Sequence, residues 1–246
     1  IEGKYSIERV LGAGGMGVVV AAVHVALHER VALKFLLPEA ARNPEVVARF
    51  AREARSAVRI KSEHVARVID VGELETGTPF MVMEYLHGTD LAQLVSTRGP
   101  LPVGEAVDYV LQAADALAEA HALGIVHRDL KPANLFVTRR ANGAPLVKVL
   151  DFGISKVALT GSSIAGDVAL SQASAVMGSP LYMSPEQMRS AHDVDHRTDI
   201  WSLGVVLYEL LTGHAVFRGT SITELCASVL QAPAPPLRAT RPDAPD

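Results

Sequence analysis

"IVHRDLKPANLFV", residues Ile125 to Val137, decides the reading of this chain. It lies between a helical stretch, "VGEAVDYVLQAADALAEAHALG" (103–124), and a hairpin stretch, "NLFVTRRANGAPLVKVLDF" (134–152), whose "ANG" is a turn signal. Within that loop Asp129 and Asn134 flank Lys131. Phosphoryl transfer needs a carboxylate to orient and accept the proton of an incoming hydroxyl, a cation near the γ-phosphate, and an oxygen ligand for Mg²⁺. Asp129, Lys131 and Asn134 suit those roles in that order. Asp151, in "LDFG", adds a carboxylate suited to the same hard cation. Singly, each acid also reads as a helix cap or turn former; their order and spacing together point to a phosphoryl-transfer centre.

Upstream, "LGAGGMGVV" (11–19) carries G-x-G-x-x-G at Gly12, Gly14 and Gly17. A dinucleotide-binding fingerprint would continue into a helix, but "VVVAAV" follows, which is a strand. No Gly-Lys-Ser/Thr is present, which excludes a Walker loop. The glycines therefore form a hairpin tip, with Val19 behind it, able to lay backbone N–H groups over phosphates. In "VALK", Lys34 ends an apolar run; alone it reads as a snorkelling surface lysine. Directed into a cleft it needs a counter-charge, and Glu53 on the following helix is placed to supply one.

The 246 residues are 49% hydrophobic and 20% charged, as expected of a globular chain with a sizeable core. A net charge of −4 and the absence of a Lys/Arg block argue against a nucleic-acid surface. The single cysteine, Cys226, excludes an intrachain disulfide, suits a reducing compartment, and reads as a buried thiol on the helix "TELCASVL". "IEGKYSIERV" has no signal-peptide core, and "IWSLGVVLYELL" is too short to span a bilayer. Both ends read as cut from a longer chain, with the Pro-rich tail "QAPAPPLRATRPDAPD" reaching no further element. His24 and His28 lack a third ligand, and "TRR" (138–140) reads as a solvated hairpin.

Short β-branched runs dominate the first third: "YSIERVL", "GVVVAAV", "RVALKFL", "VARVIDVGEL" and "PFMVMEYL". Between them "NPEVVARFAREARSAVRI" predicts a helix with Asn43 as N-cap, Pro44 at N1, and Val46, Val47, Phe50, Ala54 and Ala57 on one face. Further on, the pattern places Val103, Val107, Val110, Leu111, Ala114, Leu117 and His121 on the apolar stripe of one helix. "DIWSLGVVLYELLTG" reads as a helix buried all round, with Trp201 in the core. The expected architecture is α+β and bilobal.

With these motifs in place, the chain resembles a eukaryotic-like (Hanks-type) serine/threonine protein kinase catalytic domain, and "VHRDLKPANLFV…KVLDFGISK…GSPLYMSPEQ" looks most like the bacterial branch. The resemblance runs from about Tyr5 to Arg241. It implies one kinase-like domain over 1–246: a β-rich N-lobe with one helix (about 1–84), a hinge (about 84–90) and an α-rich C-lobe (about 91–246) with its terminal helices missing. It also implies ATP with Mg²⁺, Mn²⁺ being an alternative, and protein substrates bearing serine or threonine.

By family position, Leu11, the three glycines, Val19, Ala32 and Phe136 would enclose the nucleotide. Lys34 would pair with Glu53, Met83 would be the gatekeeper, the backbones of Glu84 and Leu86 would meet the adenine, and Asp90 the ribose. Asp129 would be the base, Lys131 its partner in the serine/threonine class, and Asn134 and Asp151 the metal ligands. His127 and Phe152 would stack in the regulatory spine, and Asp199 would brace the catalytic loop. Cytoplasmic location without nucleic-acid or membrane contact is expected of this domain, with a homodimer for autophosphorylation.

The resemblance also turns "LSQASAVMGSPLYMSPE" (170–186) from an apparent linker into the activation segment, ending at Pro185 and Glu186. Ser174 and then Ser171 are the expected phosphosites, facing a pocket of Arg49, Arg128 and Lys156. Ser179 stands where the family usually has threonine and keeps the hydroxyl for substrate positioning; Ser184 is assigned to structure. Glu186 is expected to lack the arginine that the family supplies further on, leaving a buried charge unpaired. The competing reading is a pseudokinase that binds nucleotide or partners without chemistry, although Lys34, Asp129 and Asp151 are all present.

Overall fold

The structure is a computed structural model, which describes residues 1, 3–14, 17–152, 180–189 and 194–245. Among these residues the first part of the chain folds into a five-stranded antiparallel sheet in the order β1-β2-β3-β5-β4. Its strands are β1 (Tyr5–Ala13), β2 (Gly17–His24), β3 (Glu29–Leu36), β4 (Val68–Glu73) and β5 (Pro79–Glu84). The period-2 alternation of β3 sets the function of this lobe. Val31, Leu33 and Phe35 pack on one face with Val20, Ala22, Phe80 and Val82. Ala32, Lys34 and Leu36 therefore point to the other face, toward the helix.

A short helical turn, α1 (Pro38–Ala41), leads into that helix, α2 (Pro44–Arg59). Asn43 caps α2 as expected, its side chain accepting the Glu45 N–H at 2.9 Å, with Pro44 at N1. Phe50 and Ala54 of α2 are buried with Leu36, Val68 and Met81, and Val46, Val47 and Ala57 pack around them. The strand expected from Val65 begins only at Val68. Residues 64 and 66 bond the other lobe instead, bridging Val65 to Val149: Ala66 N–H donates to Val149 O at 3.0 Å, and Val149 N–H donates to His64 O at 2.8 Å.

The C-lobe contains α3 (Leu91–Arg98), α4 (Val103–Ala122), a small sheet of β6 (Thr89–Asp90), β7 (Leu135–Arg139) and β8 (Pro145–Val149), and then α5 (Pro185–Arg189), α6 (Arg197–Thr212), α7 (Ile222–Gln231) and α8 (Leu237–Thr240). The buried face of α4 differs from the expected stripe. Ala106, Ala113, Ala116 and Ala120 are buried beside Tyr109 and Leu117, whereas Val107 and Leu111 face solvent. Alanines allow α6 and β8 to approach closely, and that close packing outweighs the larger residues' hydrophobicity.

Helix α6 is buried over much of its surface but not all round, since Ile200 is exposed. It ends at Gly213, whose φ of 75° is the left-handed C-cap conformation. Trp201 is half-buried, stacked on Phe217 at 5.8 Å. Cys226 is half-buried on α7, not buried, because Leu225 and Val229 occupy the inward face. The Pro-rich tail does reach a further element, α8. Leu237 packs on the C-lobe core, and the Arg241 guanidinium donates to Leu211 O at 2.7 Å and Leu101 O at 2.9 Å. Arg140 of the expected solvated hairpin is tied to Glu63 at 2.7 Å. Among the described residues no helix is long and apolar enough to cross a membrane.

Candidate active site

A cavity of about 640 Å³ opens between the two lobes. Leu11, Gly12, Val19, Ala32, Met83, Glu84, Leu86, Asp90 and Phe136, all expected around a nucleotide, line it. Ala32 faces it because of the β3 alternation, and Phe136 because β7 pairs with β6 at Asp90. Asp90 also caps α3, accepting the Gln93 N–H at 2.9 Å. Sequence reasoning missed Gly88, also in the lining: a Cβ there would lie 1.9 Å from Val137 O, so only glycine lets β6 sit against β7.

The glycines divide into two kinds. A Cβ on Gly17 would meet Phe35 O at 2.5 Å, so that glycine serves the packing of β2 on β3. Gly12 and Gly14 have open space where a Cβ would stand, so among the described residues nothing in the packing demands glycine there. Gly14 N–H donates to Gly17 O at 2.9 Å, closing the hairpin.

At the inner end of the cavity the Lys34 ammonium lies 2.7 Å from Glu53 Oε1 and 2.7 Å from Asp151 Oδ1. Three elements from both lobes thus meet on one cation. Burial alone would push the Lys34 ammonium down, but the Asp151 and Glu53 carboxylates reverse this and hold it well above the usual lysine range. Burial pushes the Glu53 carboxyl up beyond what its share of Lys34 restores, and the like charge of Asp151 adds to this. Asp151 adopts a positive φ of 47°.

Below, the loop read first from the sequence is anchored in the core by Ile125, Leu130 and Leu135, and its polar groups are held by hydrogen bonds. Asp199, fully buried on α6, accepts the N–H groups of His127 and Arg128 at 2.8 Å each and faces His121 Nε2 at 2.7 Å. His127 Nδ1 accepts the Asp129 N–H at 3.2 Å, which leaves Nε2–H to donate to Leu150 O at 2.9 Å. Its ring lies 5.0 Å from that of Phe152, both fully buried. Lys131 Nζ stands 3.2 Å from Asp129 Oδ2. Asn134 Nδ2 donates to Asp129 O at 2.9 Å, and Leu150 N–H to Asn134 O at 2.8 Å, so Asp129, Asn134 and Asp151 belong to one bonded unit. Among the described residues no cluster of His, Cys, Asp and Glu has the form of a separate metal site.

Arg128 is partly buried with a φ of 63°, its Nη2 lying 3.4 Å from Val194 O, and Arg49 is half-buried on α2. Lys156, Ser171, Ser174 and Ser179 lie outside the described residues. Ser184 is fully buried and bonded to Thr198 Oγ1 at 2.8 Å, in keeping with a structural role. Glu186 is exposed, so the expected cost of an unpaired buried charge does not arise. Lys148 was not foreseen. It is buried on β8, and its Nζ reaches Glu84 Oε1 at 2.8 Å, while the same oxygen accepts the Arg67 N–H at 2.7 Å.

Residues 5–239 match the protein kinase domain family. The chain is 43% identical over 241 residues to the serine/threonine-protein kinase pkn3 of Myxococcus xanthus, covering 98% of this chain and 43% of that protein. It is 41% identical over 237 residues to the serine/threonine-protein kinase PknB of Mycobacterium leprae, covering 95% of this chain and 36% of that protein. The chain thus spans less than half the length of these curated relatives. Among solved structures, the PknI kinase domain of Mycobacterium tuberculosis superposes with a TM-score of 0.70 at 31% identity, covering 98% of this chain and 83% of that one.

Proposed function

The chain belongs to the protein kinase domain family, and we propose that this protein transfers the γ-phosphoryl group of ATP to serine and threonine hydroxyls of proteins. One observation carries the proposal: Lys34 is bonded to Glu53 and Asp151 together, beside a loop in which Asp129, Lys131 and Asn134 are already fixed. A scaffold that had lost its chemistry would have no use for that whole array.

The residues present fit ATP and a divalent cation. The apolar walls of Val19, Ala32 and Phe136 suit a purine, and the open approach at Gly12 and Gly14 suits phosphates. Asp151, whose side chain is 46% exposed, and Asn134, whose amide nitrogen is engaged but whose Oδ1 is an available type of oxygen ligand, would hold Mg²⁺ or Mn²⁺. The cation, when bound, neutralises charge on the phosphate oxygens. Lys34 is kept protonated by its two carboxylates and would hold the inner phosphates, with the backbones of Glu84 and Leu86 meeting the adenine and Asp90 the ribose. Asp129 orients the incoming hydroxyl and accepts its proton as the oxygen–phosphorus bond forms and the bond to the ADP oxygen breaks. Lys131, beside Asp129, stabilises the negative charge on the moving phosphoryl group.

Control belongs to the same proposal. Phosphorylation of Ser174 or Ser171, read by Arg49, Arg128 and Lys156, would set the catalytic loop, with Ser179 positioning substrate and a homodimer allowing autophosphorylation in the cytoplasm. The test is Asp129→Asn against the unmodified protein in ATP/Mg²⁺, followed by intact and tandem mass spectrometry. Phosphate incorporation should fall by about 10²–10⁴-fold while nucleotide binding is retained. Equal incorporation in the two proteins would leave the scaffold reading standing. The same spectra locate the modified hydroxyls.

A further inference from the structure

Arg128 is a non-glycine residue in the left-handed region, φ 63°, immediately before Asp129. Such a conformation persists only where its surroundings over-determine it. Its N–H is fixed by Asp199 Oδ1 at 2.8 Å. Its carbonyl, the one that begins the peptide to Asp129, is fixed from another element: Gln187 Nε2 of α5 donates to Arg128 O at 2.8 Å.

Gln187 is itself held. The Thr198 hydroxyl donates to Gln187 Oε1 at 3.0 Å, which assigns the amide with its nitrogen toward Arg128. Ser184 Oγ bonds Thr198 Oγ1 at 2.8 Å and accepts the Gln187 N–H at 3.3 Å. Thr198 and Ser184 are fully buried. Thr198 and Asp199 are consecutive on α6, so one turn of that helix grips Arg128 on both sides: Asp199 directly at the N–H, Thr198 through Gln187 at the C=O. We infer that Gln187 is a positioning residue for catalysis, holding the Arg128–Asp129 peptide so that the Asp129 carboxylate is correctly aimed.

The inference rests on the proposed phosphoryl transfer and has a consequence of its own. Gln187 lies on α5, just beyond Pro185 and Glu186 where the expected activation segment ends. The placement of α5 is thereby transmitted to the base through one amide.

Two variants separate positioning from mere packing. Gln187→Leu removes both amide contacts. Gln187→Glu keeps the shape and the acceptor for Thr198 but sets a carboxylate oxygen against Arg128 O. Each is compared with the unmodified protein for ADP·Mg²⁺ stoichiometry, KM for ATP and kcat per nucleotide-binding site. Both variants should bind one nucleotide per chain with KM within about twofold, and lose about 10–100-fold in kcat, the scale of an angstrom-level misplacement. A glutamate variant at the unmodified rate would mean that only the Thr198 contact matters and would overturn the inference, as would two unchanged variants. If the leucine protein fails to melt cooperatively, the glutamate protein decides alone. A crystal structure of Gln187→Glu reads the geometry without activity: Arg128 should leave its left-handed conformation, and an unmoved Arg128 peptide overturns the inference. Should the unmodified protein transfer no phosphate, the functional proposal fails, and this structural arm still judges the role of Gln187.

Discussion

Asp199 in the helical lobe and Glu53 in the sheet lobe are both buried carboxylates beside the proposed catalytic groups, yet they are satisfied in opposite ways. Asp199 is met by two backbone N–H groups, each at 2.8 Å, and by His121 at 2.7 Å. Among the described residues Glu53 is met by a single ammonium at 2.7 Å, and that ammonium is shared with Asp151 at the same distance. Backbone donors do not titrate and move only if the loop moves, so the lower half of the site is built into the fold. The upper half depends on flexible side chains from β3, α2 and the segment just after β8, where one cation balances two anions. Any ligand drawn to Asp151 changes what Lys34 gives Glu53. The proposed base is therefore fixed, and the proposed phosphate-binding end is adjustable.

The largest effect should come from Asp199→Asn. The amide can accept one N–H but turns its own NH₂ toward the other, which strands a buried donor. Loss of about 3 kcal/mol or more in urea unfolding is expected from that donor and the lost charge-assisted bonds. Phosphoryl transfer should fall by more than about 10²-fold as Arg128 relaxes and Asp129 shifts. Unfolding within about 0.5 kcal/mol of the unmodified protein would break the comparison, since a backbone clamp cannot be lost without cost.

Lys34→Met should abolish transfer comparably, by about 10²–10³-fold, but cost less stability. Breaking a buried pair typically costs about 3–5 kcal/mol, because a charge remains buried and unpaired. Here Glu53 is already pushed toward its protonated form and Asp151 is open to solvent, so about 2 kcal/mol is expected at pH 7. The sign with pH follows. Without Lys34 the folded Glu53 holds its proton more tightly than the unfolded chain does, so stability falls as pH rises above 4.5. The gap to the unmodified protein should widen from pH 4 to pH 7, and a constant gap would show that Glu53 is not the group responding.

How much of this was legible beforehand follows the range of the interactions. The strands, the capped α2 and the loop between α4 and β7 were readable because their determinants are local: alternation, an Asn-Pro cap, and the helix and hairpin signals on either side of the loop. The N-terminal boundary of β4 and the buried face of α4 were not, because pairing with β8 and close alanine packing are tertiary choices. The contacts that hold the site lie further apart still: 78 residues for His121–Asp199, 64 for Lys148–Glu84 and 59 for Gln187–Arg128. No local pattern marks Gln187 or Lys148. Asp199 was anticipated through the family resemblance, and its third donor, His121, was read only as part of an apolar stripe.

Lys148 and Glu84 stand between the two extremes, since Glu84 Oε1 accepts one backbone N–H and one ammonium. Lys148→Met should therefore cost about 1 kcal/mol, less than Lys34→Met, because Arg67 still serves the carboxylate and the new side chain fills the buried stem's space. Glu84 ends β5 at the cavity edge, so the KM for ATP should rise about two- to threefold with kcat little changed. A loss confined to kcat would place Lys148 with the catalytic loop and not with the nucleotide edge.

Glu209 sharpens the comparison from its weakest end. It is a half-buried carboxylate on α6 whose donor among the described residues is one neutral group, the Tyr182 hydroxyl at 2.8 Å. Burial pushes its carboxyl up, and the Tyr182 bond only partly offsets that. Burial and the Glu209 charge also push the Tyr182 phenol up, so it stays a donor throughout. With the folded carboxyl above its ordinary 4.5, the folded state binds the proton more tightly, and stability declines as pH rises through that range. Glu209→Gln keeps an acceptor for Tyr182 and removes the charge. It should gain about 0.5 kcal/mol at pH 7, little at pH 4, and flatten the pH profile of urea unfolding. The sign is opposite to that of Asp199→Asn, although both replace a carboxylate by its amide on the same helix. What separates them is the number and kind of donors, and a destabilised Glu209→Gln at neutral pH would show that donor count alone does not decide it.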